Sequence, residues 1–166
     1  MRTNLKIYFI LFTCLSILNC KQKNDTVAAN TIEVYDIADE ADRFIYDKLN
    51  LDDSHPNLLN PQLSDDGYDM ILEAWTNLHQ AIGDHLDKND FDWQIEAESI
   101  SILHKFYFEE NGRIKNYAFR FTNNKVSDQV RSEYGKLIQE FANDFIMDLD
   151  RDAQYAQCGK TKYMIN

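Results

Sequence analysis

Apolar residues change their spacing several times along this chain, and each change marks an element. Between Thr31 and Leu49 they fall at Val34, Ile37, Ala38, Ala41, Phe44, Ile45 and Leu49, with acids between them. That is the three-and-four spacing of an amphipathic helix with one apolar stripe. Asn50–Gly67, "NLDDSHPNLLNPQLSDDG", holds both prolines of the chain and reads as a loop, with Leu58, Leu59 and Leu63 lying over the core. Helical spacing returns over Tyr68–Leu86. Its stripe is Ile71, Leu72, Trp75, Leu78, Ile82 and Leu86, and Ser64, Asp65 or Asp66 offers an N-cap.

Ser99–Phe121, "SISILHKFYFEENGRIKNYAFRF", switches to period two. Asn111-Gly112 in its middle signals a type I′ hairpin turn, which needs positive φ at both central positions. With Glu110 facing Arg113, Phe108 meets Lys115, Phe106 meets Tyr117, His104 meets Phe119 and Ile102 meets Phe121. That face is apolar on both strands. The other face pairs Glu109 with Ile114, Tyr107 with Asn116, Lys105 with Ala118 and Leu103 with Arg120, and is wetter. Turn and alternation are independent signals, and they choose one register.

Ser127–Leu149 is a long amphipathic helix capped by Ser127, its stripe running from Val130 through Tyr134, Leu137, Ile138, Phe141 and Phe145 to Leu149. Lys160–Ile165 reads as a short strand after a Cys158-Gly159 turn. It joins the hairpin, which would be marginal alone. The fold class is α+β: N-terminal helices, then a β-hairpin, a long amphipathic helix and a short C-terminal strand, packed as a small antiparallel sheet covered by helices.

The first twenty residues follow neither period. Met1–Lys6 carries Arg2 and Lys6 and no acid, and Ile7–Leu18 is almost wholly apolar. The run is shorter than the ~20 residues that span a bilayer, and reads as a secretory leader. It ends at Cys20, after Ile17-Leu18-Asn19 and before "KQKND". This resembles the lipobox of bacterial lipoprotein precursors, with Asn19 where Gly, Ala or Ser is usual. Cys14 lies inside the apolar run and fits less well. The resemblance implies a signal peptide over 1–19, a lipidated Cys20 with a flexible tether over 20–30, and a single α+β domain over 31–166. A cysteine carrying two or three acyl chains stays on a membrane. Lys21–Asn30 reaches about 30 Å when extended. Lys21-Gln22-Lys23, with no Asp after the cysteine, points by analogy to the outer membrane of a cell envelope, on its periplasmic or surface face.

From Tyr68 onward the element order, with "FEENGRIKNYAF" as its hairpin, resembles the C-terminal domain of TonB-type energy transducers. The chain has no Pro-rich spacer, no transmembrane anchor and no Trp-Pro before the last strand. No functional residue carries over, and the resemblance bears on fold alone.

The chain holds 28 acids and 17 bases, for a net charge of −11. Loss of the leader's Arg2 and Lys6 makes the rest two units more negative. Such a domain does not bind nucleic acid, whose phosphates need a basic face. Nor does it adhere by charge to an anionic membrane. A cationic protein partner suits it. With Cys14 removed and Cys20 acylated, Cys158 is left alone, so no internal disulfide forms.

Candidate sites are sparse. Asp148, Asp150 and Asp152 are spaced like the start of a calcium loop, but Ala153 and Gly159 stand where Gly and Glu are required. Asp87, Asn89 and Glu98 fit the same template until Phe91 and Asp92 break it. Both sets read as solvated acids. His79 and His85 are six residues apart and share no helix face as a zinc pair would. His55 stands apart, and His104 falls on the apolar face of the hairpin, as a hydrogen-bonded core histidine. Cys158 in "YAQCGKTKY" matches no nucleophile signature and reads as a small buried apolar residue. There is no G-x-S-x-G, P-loop, G-x-G-x-x-G or HExxH. No catalytic residue, metal or cofactor is assigned.

The reading is a membrane-anchored envelope lipoprotein acting as a non-enzymatic protein-interaction module, with an inhibitor or immunity-type protein as its pointed form. The alternative is a small periplasmic hydrolase or ligand-binding protein with a pocket between the sheet and the helices. A Cys20→Ser variant is expected to remain an unprocessed precursor and to lose its partition into detergent. Partition equal to the parent's would refute lipidation.

Overall fold

The computed structural model describes residues 32–59, 67–123, 125–149 and 151–165. The leader, Cys20 and the tether lie outside them, as do Leu63 and the expected caps Ser64, Asp65 and Asp66. The described elements run β1 (Glu33–Asp36), α1 (Glu40–Leu49), α2 (Tyr68–Lys88), β2 (Ser99–Phe108), β3 (Ile114–Phe121), α3 (Asp128–Asp144) and β4 (Tyr155–Met164). A single 3-10 turn, Leu51–Asp53, follows α1. The sheet order is β1-β3-β2-β4, so β2 is paired along both edges.

The hairpin holds the register expected from its alternation over Ile102–Tyr107, from Ile102↔Phe121 to Tyr107↔Asn116. Its turn differs. Gly112 has φ +79° while Asn111 has no positive φ, and Gly112 donates its N–H to the Glu109 carbonyl at 3.0 Å. That is a three-residue turn closed by a left-handed glycine, not a type I′ turn. It pairs Phe108 with Ile114 instead of Lys115, and a bulge between Tyr107 and Phe108 restores the register. Gly112 is also fixed by a neighbour. Its carbonyl accepts the Met147 N–H at 2.9 Å, and a Cβ there would run into the Met147 backbone.

One face of the sheet carries the core. Ile102, His104, Phe106 and Phe108 of β2 lie beside Tyr117, Phe119 and Phe121 of β3, all buried. α2 covers this face with Ile71, Ala74, Trp75, Leu78, Ile82 and Leu86. The expected stripe residue Leu72 turns outward. α3 covers the face with Val130, Tyr134, Leu137, Ile138 and Phe141, and Ser127 Oγ caps it by accepting the Val130 N–H. Gly135 lets α3 approach: a Cβ there would already touch Val34 and Phe119.

Three boundaries differ from the sequence reading. Thr31–Leu49 is not one helix, because Glu33–Asp36 forms β1, parallel to β3, so the sheet is mixed rather than wholly antiparallel. Acidic side chains break the segment. Asp36 Oδ1 accepts the Ala38 N–H, and Asp39 Oδ1 accepts those of Ala41 and Asp42, which caps α1. α1 buries none of its residues. α3 ends at Asp144, where Phe145 turns extended and Met147 crosses to Gly112. β4 is ten residues long and runs straight through Cys158-Gly159, where a turn was expected. Gly159 lies beneath Trp75, whose indole would sit about 3 Å from a Cβ there, so glycine here makes room for a ring and marks no turn.

The outer backbone of β1 is partly capped by side chains. Asp42 Oδ2 accepts the Asp36 N–H at 2.9 Å, and Gln139 Nε2 donates to the Ile32 carbonyl at 2.8 Å. At the other rim, Ala156 exchanges hydrogen bonds with Pro56 and Leu58, and Cys158 N–H donates to Asn57 Oδ1. Gly112→Ala combines a disfavoured φ with a backbone collision. It is expected to lower unfolding stability by at least about 2 kcal/mol, read from the denaturation midpoint.

Candidate functional site

Three places gather polar chemistry, and they differ in access to solvent. The first is inside the core. His79 projects from α2 and His104 from β2, and their rings pack 4.5 Å apart. His79 Nδ1 bonds the Tyr163 hydroxyl at 2.8 Å, and His104 Nδ1 bonds the Tyr117 hydroxyl at 2.7 Å. Tyr117 in turn bonds Tyr134 at 2.8 Å. Both Nε2 atoms are buried without a hydrogen-bond partner among the described residues. Trp75, Phe106 and Tyr163 pack around the pair. The core-histidine reading of His104 holds. The meeting with His79 was legible, since each lies on an apolar face that has to be covered.

The low polarity here penalises charge. Burial pushes His79 down to about 4, and burial together with the His79 imidazole holds His104 well below the usual histidine range. Burial and hydrogen bonding raise Tyr117, and burial raises Tyr134 and Tyr163. All five groups are neutral at neutral pH. The arrangement is a set of neutral, hydrogen-bonded groups in the core, with Tyr163 at its partly buried rim.

The second place is the opposite sheet face, which α1 and the 3-10 turn partly cover. Tyr107 donates to Asp52 Oδ1 at 2.8 Å and meets the Tyr46 hydroxyl at 2.5 Å. Lys105 Nζ donates to Asp52 Oδ2 at 2.6 Å. His55 sets its ring edge-on to Tyr107 and turns Nδ1 to the Leu51 carbonyl. Burial works to raise Asp52, but the hydrogen bonds from Lys105 and Tyr107 and the lysine charge outweigh it, so the carboxyl is held below its usual range. Burial is the main cause raising Tyr107. This knot ties the chain after α1 to the sheet. Beside it lies a shallow apolar dish of about 300 Å³ lined by Ile37, Tyr46, Leu103, Ala118, Cys158 and Lys160. Cys158 is exposed there, opposite Lys105, and not buried as expected. The cause is the length of β4, whose alternation sends residues 158, 160 and 162 outward.

The third place is an open groove of about 450 Å³ between β1 and α3. Glu33, Asp36, Asp39, Asp42 and Asp128 line it, against Arg131 and Lys136. Arg131 NH2 donates to Asp128 Oδ1 at 2.6 Å. Its Nε lies 2.9 Å from Asp36 Oδ2 without aiming its N–H there, so that contact is ionic. Burial is the largest influence on Asp36 and raises its carboxyl, against the Ala38 N–H and Arg131. The sequence reading missed the groove, because its acids come from β1, the α1 cap and α3, nearly 100 residues apart in the chain.

The remaining candidates stay dispersed. Asn89 turns its amide back to the His85 carbonyl, Asp87 and Glu98 are exposed, and His85 packs against Phe141. Asp148 and Asp152 are exposed, and Asp150 lies outside the described residues. Among the described residues no group of three or more His, Cys, Asp or Glu is placed to hold a metal ion, and no helix is long and apolar enough to cross a membrane. No family model matches the chain, and no curated protein or solved structure matches it.

Because the folded His79 takes its proton only near pH 4, while the unfolded chain takes it near 6.5, the network favours folding fully above about pH 7 and loses that favour as pH falls toward 4. The loss from His79 is about 3 kcal/mol, and His104 adds to it in the same direction. Urea midpoints measured from pH 7 to 4 are expected to fall across this range, and less so in a His79→Phe variant.

Proposed function

We propose that the chain is a membrane-tethered, non-enzymatic interaction module of the cell envelope that captures a cationic protein partner. The lipobox-like leader supports the tether, and the net charge of −11 supports the sign of the partner. One observation carries the reading: five carboxylates from three elements face one open groove, with two cations among them. A groove of that sign draws basic side chains by long-range attraction and suits one or two of them by size. An inhibitor or immunity-type protein that holds a basic wall-cleaving enzyme fits this chemistry. Localisation at the outer membrane belongs to the same proposal.

The alternative, a hydrolase or ligand-binding protein, asks for a pocket between the sheet and the helices. Trp75, Leu78, Phe106 and Tyr134 occupy that layer and are buried there, which favours the interaction reading. Crosslinking capture by the anchored protein from native membranes tests it. A basic partner is expected at low salt, and most of it should release at about 0.5 M salt. Glu33→Lys with Asp128→Lys, both exposed, should cut recovery about tenfold through the association rate. Recovery indifferent to salt and to charge reversal, or no partner at either salt, would overturn the proposal.

A further inference from the structure

We propose that α1 docks on the bilayer that holds the lipid anchor, and so sets the orientation of the domain on the membrane. The inference rests on the lipidation of Cys20. Its first support is the exposure of a stripe that ought to be covered. Ala41, Phe44, Ile45, Lys48 and Leu49 share one flank of the helix, and Phe44 is 62%, Ile45 50% and Leu49 43% exposed. The helix is held to the sheet by its other flank, through Asp42 to the Asp36 N–H and Tyr46 to Tyr107. No core function remains for the stripe.

The second support is where the stripe lies. Asp42 touches the C-terminal end of β1. One turn later Tyr46 reaches Tyr35 and Tyr107, and Tyr107 is level with Asn116, the partner of Glu33 at the N-terminal end of β1. α1 therefore runs from the C-terminal end of β1 across the sheet toward Tyr107 of β2, at the end of the sheet where the chain enters at Ile32, and Leu49 stands three residues before Asp52, which bonds Tyr107 and Lys105. Exposed Ile146, bridged to Arg113, sits at this same end. About a dozen residues join Cys20 to Ile32, a reach of at most about 40 Å. An anchored domain thus keeps this end within reach of the bilayer, where a small apolar stripe suffices because the contact is intramolecular in effect. Lys48 Nζ lies 3.8 Å over the Phe44 ring, so this lysine stands within the stripe, its stem along the apolar surface and its ammonium free to reach the headgroups. The acidic domain selects a zwitterionic surface over an anionic one.

The test uses the full-length protein, isolated from its membrane in detergent and reconstituted into phosphatidylcholine vesicles whose acyl chains are brominated. Trp75 and Trp93 are buried and give the background emission. Phe44→Trp is expected to add emission of which at least half is quenched by the bromines. Met164→Trp, 63% exposed in the parent and paired with Ser99 at the far end of β2, should stay unquenched. Ile45→Asp added to Phe44→Trp should remove the quenching while the protein still floats with the vesicles. If the mass shows the acyl group and the protein floats, but Phe44→Trp is quenched no more than Met164→Trp, the docking inference falls and lipidation stands. If the mass shows no acyl group and the protein does not float, lipidation falls and the docking inference falls with it.

Discussion

β2 is paired with β4 along its whole length and with β3 over Ile102–Phe108, and the rest of the molecule is placed by its alternation. Ile102, His104, Phe106 and Phe108 look one way and must be covered, which brings α2 and α3 over them. Lys105 and Tyr107 look the other way and are answered by Tyr46 of α1 and by Asp52 and His55 from the chain after it. A slip of one residue in β2 would exchange these two sets of partners. It would put a lysine under Trp75 and a phenylalanine beside Asp52, so the register is enforced from both faces. The bulge at Lys115 belongs to the same constraint, because it lets the turn close on Gly112 while the interior pairs keep their places.

How much of this was legible depended on whether the cause was local. The interior pairs of the hairpin, the stripe of α2 and most of α3 follow from the period within the segment itself; the hairpin turn, a three-residue loop closed by Gly112, and the start of α2 at Gly67, which has no side-chain cap, do not. β1 was not legible, because four residues give too short an alternation and their strand state is imposed by β3 from more than 80 residues away. The end of α3 and the start of β4 were misjudged for a like reason. Met147 leaves the helix to bond Gly112, and the glycine at 159 answers to a tryptophan on another element. The histidine pair was within reach of sequence reasoning, since His79 and His104 both sit on stripes that meet. The acidic groove was beyond it, because charge spacing along a chain says little about which charges a parallel edge strand and a distant helix bring together.

Polar groups divide by burial into two roles. Inside, His79 bonds Tyr163 while His104 bonds Tyr117, which bonds Tyr134, and the two neutral sets meet through the packed imidazoles and specify how α2, α3 and β4 lie on the sheet. Outside, the carboxylates of β1, the start of α1 and α3 face an open groove, where Arg131 pairs with Asp36 and Asp128, and Asp36, Asp39 and Asp42 also accept backbone N–H groups. The first set supports a fixed scaffold. The second leaves a field for something else to answer, and the proposed capture of a basic protein rests on it.

The capped outer strand has a consequence for crowding. Proteins leashed in one plane meet each other edge to edge at high local density, the condition under which sheets extend from molecule to molecule. Here the amide of Gln139 and the carboxylate of Asp42 already fill two of the seats a neighbour's backbone would take on β1. At the opposite rim, a two-fold antiparallel pairing centred on Thr161 would set Lys160 and Lys162 of one copy against Lys162 and Lys160 of the other. On the proposed lipid tether, a dense layer of this molecule would therefore resist extending its sheet from copy to copy.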